Sequence, residues 1–219
     1  MSITIKQPAY IITVRDFLAS FIATRNADMT PNFEMDTGEP ATKKVIRLPV
    51  VKSVGLAPDV SSVPIHASGM VYDLSTRLKS AQLTLGVVAL PADFKDAAVG
   101  TTIISGSMAY QKNNDLGKEF ACGYYMEESD GGLVYYIHPR CKLIQGEEEA
   151  ETSSDDDLDP EESYAIEVLP THEGVWRIRY RTKDVATGKT PLTVDAFFAA
   201  MPYTIAEITA LAATEQAAG

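Results

Sequence analysis

The sequence predicts a mainly β domain with a short helix folded against its sheet, and three observations lead to that expectation. First, Ala81, Leu83, Leu85, Val87 and Ala89 alternate with Ser80, Gln82, Thr84, Gly86 and Val88, the period-2 pattern of a half-buried strand. Second, this strand runs with almost no loop into a helical segment ending at Gly100. There Pro91 suits a first helical turn, Leu90, Phe94 and Ala98 share a face, and Gly100 suits the C-cap. Third, further alternating segments fill the region from Phe120 to Arg181.

Taken in chain order, residues 1–17 read as an N-terminal arm, and Phe17 to Arg25 as either a strand or a helix turn. Residues 26–44 hold Pro31, Gly38 and Pro40 among polar residues and read as a long loop, a kind that is usually functional or disordered. Phe120, Cys122, Tyr124 and Met126 share one face of a strand. Across a turn at Ser129-Asp130-Gly131-Gly132, Leu133, Tyr135, Ile137 and Cys141 share a face of its partner. Tyr164, Ile166 and Val168 mark another strand, and Trp176, Ile178 and Tyr180 the next, with Arg177, Arg179 and Arg181 on its opposite face. Thr193 can cap a short helix running to about Met201. The Ala-rich stretch 204–219 reads as a loose helix or a frayed tail.

Bulk properties narrow the class. A chain of 219 residues, 45% hydrophobic and 22% charged, can bury one sizeable core and is expected to form one domain with appendages. It holds no apolar run long enough to cross a bilayer, and residues 1–7 lack the apolar core of a signal peptide, so synthesis in the cytoplasm is expected. Cys122 and Cys141 lack metal-site spacing and read as two free thiols. The net charge is −11, yet ten carboxylates sit in one segment, so the rest of the chain carries only −1. They are Glu147, Glu148, Glu149, Glu151, Asp155, Asp156, Asp157, Asp159, Glu161 and Glu162.

Catalytic motifs are sought without result. Gly106-Ser107 lacks the flanks of a nucleophile elbow, and His66, His138 and His172 show no metal-ligand spacing. Gly188-Lys189-Thr190 resembles the end of a phosphate loop, but Lys183 stands where its first glycine belongs, so the stretch reads as a turn. The acidic segment could recruit calcium; without a turn-forming glycine, and with its own charges repelling, it reads as a solvated loop. The arginine stripe reads as an interface or solvated face, because an acidic chain opposes binding to nucleic acid. No catalytic residue, cofactor or metal ligand is expected.

An ordered set of segments is similar to the major tail protein family of long-tailed (siphoviral) phages, the subunit of the tail tube. The set comprises Lys44 to Pro49 leading into Val50 to Pro58, then the strand–helix joint at 80–100. Phe120 to Tyr124 follows, opening a tyrosine-rich hairpin that ends near Leu143. Thr171 to Arg177 and Val194 to Phe198 complete it. The resemblance covers roughly 44–203, more loosely from 18, and favours a strand at Phe17 to Arg25. It implies a β-sandwich or barrel-like domain over 18–203 with a short flanking helix. It also implies copies of the chain as partners, in hexameric rings stacked into a tube, together with other tail proteins. DNA would pass the lumen without specific binding, and the location would be the virion tail. The acidic segment 147–162 and the 26–44 loop look longer than the family pattern. From the latter, Met29, Pro31, Phe33, Asp36 and Glu39 are the expected contacts to a neighbouring subunit. A monomeric ligand- or calcium-binding β-sandwich is the alternative.

Overall fold

The computed structural model describes residues 10–37, 41–49, 51–67, 70–105, 108–112, 116–144 and 162–215, with backbone only for 63, 65–67 and 70–75. The fold is mainly β, built on one large antiparallel sheet with short helices packed on it, and is sandwich-like. Its strands are β1 (Ile11–Arg25), β2 (Pro31–Phe33), β3 (Ile46–Leu48), β4 (Val51–Ala67), β5 (Met70–Val87), β8 (Phe120–Glu128), β9 (Leu133–Ile144), β10 (Glu162–Val168) and β11 (Ile178–Arg181). A separate two-stranded hairpin is formed by β6 (Thr102–Ser105) and β7 (Met108–Tyr110). The helices are α1 (Ala92–Val99), α2 (Val194–Ala200) and α3 (Ile205–Ala213).

The order β2-β1-β8-β9-β10-β5-β4 runs across the sheet, with β3 also on β1 and β11 also on β9. Strands β3 and β4 follow one another in the chain, one bonded to β1 and the other to β5. That continuous run ties the two borders of the sheet together, so the sheet curls around its own core.

Alternation decides what fills the inside. Phe17, Ala19 and Phe21 of β1, Ala81, Leu83, Leu85 and Val87 of β5, and Ile166 and Val168 of β10 all enter one buried cluster. Helix α1 plugs it with Phe94 and Ala98. The Phe94 ring lies 5.2 Å from Phe21, 5.7 Å from Phe120 and 6.4 Å from Phe17. Burying such a ring contributes about 3 kcal/mol. Gly100 closes the helix in the left-handed conformation at φ 85°, and Pro91 stands at its N-cap.

The other face of β1, β8 and β9 is buried too. Leu18, Ile22, Tyr125, Tyr135 and Ile137 form a second cluster with Phe197, Phe198, Met201 and Tyr203 from the α2 region. Thr193 Oγ1 accepts the Ala196 N–H at 3.2 Å, as its N-cap position suggests. Gly123 admits Phe198, since a Cβ there would stand 2.5 Å from that ring.

Four sequence expectations need correction. Cys141 does not share a face with Tyr135 and Ile137: Phe120 faces Cys141 while Cys122 faces His138, a one-residue bulge at Pro139. Proline cannot donate to a ladder, and the bulge it occupies turns Cys141 into the first cluster beside Cys122. The N-terminal arm ends before Ile11, where β1 begins, and Phe17 is fully buried. Of the two readings of 204–219 the frayed tail gives way to the helix over Ile205–Ala213, and residues 216–219 lie outside the described residues. Helix α3 starts in a capping box of Thr204 and Glu207.

The fourth correction concerns 26–44. Asn26 to Thr30 make a tight turn, β2 pairs with β1, and Met35 bridges to Lys43. Phe33 is buried in the second cluster. Lys43 Nζ donates to the carbonyls of Ala200 (2.9 Å) and Met201 (3.0 Å), satisfying the C-terminus of α2. The described part of this segment packs on its own subunit because a buried aromatic and a half-buried cation anchor it, signals that a count of breakers cannot register.

Candidate assembly surfaces

The longest feature with no partner in the described chain is the β4–β5 hairpin. Strand β10 stops at Val168 opposite Ala81, yet β4 and β5 continue pairing from Asp59–Ser80 to Ala67–Met70. At 3.3 Å per residue that is an arm about 30 Å long. Two-stranded ribbons are marginal by themselves in water, and past Asp59 and Ser80 no third strand of the described domain is bonded to this one. Pro58 and Pro64 fall on β4. Their missing N–H groups belong at the outer edge, which blunts β4 against further pairing, whereas β5 along the arm has no proline. At the root of the arm lies an open cleft of about 470 Å³, lined in part by Pro58, Asp59, Ser80, Gln82, Ile144 and Glu167.

Of the residues expected to reach a neighbour, Met29 is half exposed in the 26–30 turn, at φ 68°, and its carbonyl accepts from Arg25 Nη1 at 2.9 Å. Pro31 pairs with Arg25 in the ladder, Asp36 is exposed, Phe33 is buried, and Glu39 lies outside the described residues. So do Glu147 to Glu161 of the acidic segment; Glu162 opens β10. The arginine stripe divides. Arg177 lies just before β11 and covers the rings of Trp176 and Tyr136, at 4.8 and 5.8 Å. Arg179 is exposed. Arg181 is spent internally on the buried Glu128 at 2.8 Å.

Two polar nodes escape sequence reading because their members are far apart in the chain. Asp16, held at φ 35° by a β-bulge, pairs with Arg47 (2.5 Å) and accepts from the Tyr125 hydroxyl (3.2 Å). Glu119 gathers Arg25, Arg140 (3.1 Å) and, more distantly, Lys142 (3.8 Å). Burial pushes the Glu119 carboxyl up, but hydrogen bonds from Arg140 and Arg25 outweigh it and hold the group below the usual carboxylate range. The Arg25 guanidinium also donates to the Tyr203 hydroxyl at 3.0 Å, tying the end of β1 to the segment before α3.

The buried titratable groups sit around the bulge. His138 is fully buried between Tyr124 and Trp176, with Nδ1 3.1 Å from the Trp176 carbonyl. Burial pushes its pKa down to about 4. Cys122 and Cys141 are buried with Sγ atoms 3.4 Å apart, and burial pushes the Cys141 thiol up. Among the described residues no group of three or more His, Cys, Asp or Glu could hold a metal ion, and no helix is long and apolar enough to cross a membrane. No protein-family model and no curated protein matches the chain.

Proposed function

We propose that the chain is a structural virion protein, the subunit of a phage tail tube, assembling as hexameric rings that stack around a lumen for DNA. The observation that carries this reading is the arm: a paired ribbon reaching about 30 Å past the sheet that roots it is suited to a neighbour and to little else. The curled, doubly buried sheet behind it supplies a rigid base, because both faces of β1, β8 and β9 are packed. The resembling segments support the same reading, and they map onto β3–β4, the β5–α1 joint, the β8–β9 hairpin and α2. A near-neutral domain would let phosphates pass, where a basic wall would hold them. Sizing of purified protein at rising concentration, with electron microscopy of the same samples, tests it. Rings or tubes are expected, and a strict monomer at every concentration would sink the reading.

A further inference from the structure

The subunit has two poles, fixed by strand direction. Strand β8 starts at Phe120, level with Phe21, and ends at Glu128, level with Ile11. The two ends of that ladder are about 30 Å apart. At the Phe120 end, the chain leaving α1 returns along it: Gln111 Nε2 donates to the Val99 carbonyl at 3.1 Å, and the Lys118 N–H reaches Ala97. The β6–β7 hairpin is therefore rooted at this end. At the other end, the Tyr10 N–H donates to Ser129 Oγ at 3.2 Å. Strand β4 runs antiparallel to β1, as its continuity with β3 requires, so the arm points toward this second end as well.

Each pole carries apolar side chains that the described subunit leaves open. Every described residue of β6 and β7 is exposed. Ile103 and Ile104 are neighbours in one strand and so face opposite sides, and Met108, Tyr110 and the nearby Leu116 add to them. A two-stranded sheet with both faces apolar has no core of its own. At the far pole, Tyr10, Ile11 and Ile12 are exposed. There β1 is bonded to β8 on one side, while its ladder with β3 ends at Phe17, and no further ladder forms on that edge among the described residues.

We propose that the β6–β7 hairpin of one copy seats the Tyr10–Ile12 end of β1 from a second copy, joining copies head to tail. The inference rests on the self-assembly reading and adds which surfaces meet. The patches lie at opposite poles and cannot meet within one subunit, while a head-to-tail contact satisfies both at once. Such a contact is heterologous and repeats without limit, as a stack requires. Area agrees. The eight side chains are between 40% and 83% exposed. At roughly 120 Å² of open surface apiece, burying them together, with the hairpin entering the neighbour so that both its faces are covered, removes on the order of 1,000 Å², the size a specific contact must reach.

Crosslinking tests this. Chains carrying Ile12→Cys and chains carrying Ile104→Cys are mixed, assembled and oxidised with a small disulfide. The buried native thiols do not compete. An intermolecular disulfide dimer formed only from the mixture is expected. In parallel, Ile104→Asp should abolish long assemblies while keeping cooperative unfolding, and adding Ile12→Lys should restore at least half of the wild-type yield. Wild-type tubes without the Ile12–Ile104 crosslink would overturn this contact and leave the tube reading standing. A wild-type chain that never associates would remove both.

Discussion

Two long antiparallel hairpins dominate the molecule, and they use the same local geometry for opposite ends. The β8–β9 hairpin is bonded on both borders, to β1 on one side and to β10 and β11 on the other. Both its faces are covered, by α1 and the curled sheet on one and by the α2 region on the other. The β4–β5 hairpin is bonded like this only at its base, and from Asp59 outward it pairs with nothing else among the described residues. Strand-forming residues thus make either a core or a limb, and what separates the two is how many neighbours the ladder keeps. Stability resides in the first hairpin and reach in the second.

The sharpest way to break that comparison is to remove the limb. Replacing residues 60–79 with Asn-Gly joins Asp59 to Ser80 through a two-residue hairpin turn. Thermal unfolding should stay cooperative and assembly should be lost entirely by electron microscopy; loss of folding instead would show that the arm belongs to the core. The converse change strikes the core hairpin. Phe120→Ala empties a site shared with Phe21 and Phe94 and should cost about 4 kcal/mol in urea unfolding.

Acid probes the same hairpin more gently. His138 resists protonation in the folded state, with its pKa near 4 against 6.5 unfolded. The unfolded chain therefore binds the proton first. This group's stability is whole above pH 6.5 and is lost as pH falls toward 4, by about 3 kcal/mol in all. The loss, read as the difference between wild type and His138→Gln across that window, should vanish if the imidazole is solvated. The smallest expected effect comes from Glu119→Gln, which leaves Arg25, Arg140 and Lys142 without their counter-charge. It should cost about 2 kcal/mol with no change in assembly.

The core was legible where period 2 runs unbroken. Ala81, Leu83, Leu85 and Val87 point inward as their alternation implies, and Pro91 and Gly100 bracket α1. The pattern failed at Pro139, because one bulged residue reverses the parity of everything beyond it. The arm was half legible: Val50 to Pro58 and Ser80 to Ala89 read as strands, and between them Met70, Tyr72, Leu74 and Leu78 alternate with Asp73, Ser75, Arg77 and Lys79, a period-2 signal that the resembling segments did not cover. Segment 26–44 misled through its breakers, since Pro31 opens β2 where proline is tolerated, and Phe33 and Lys43 anchor the rest. The nodes at Asp16 and Glu119 depend on residues brought together only by the sheet's register.

The closure of the sheet also sets an order of events during synthesis. Arg15 and Glu127, partners across β1 and β8, stand 112 residues apart in the chain. Such distant partners meet against a loop-closure cost before packing rewards them, so formation of this ladder is slow. In the arm Ala67 pairs with Met70, so its ladder needs no distant segment. A nascent chain can zip its limb early, yet it lacks a body to mount it on until Glu128 has emerged. Pulsed hydrogen exchange during refolding should then protect arm amides before those of β1. Until that last ladder closes, Tyr10–Ile12 and the α1 end are not held at opposite poles, so under the proposed head-to-tail contact maturation of the subunit would gate polymer growth.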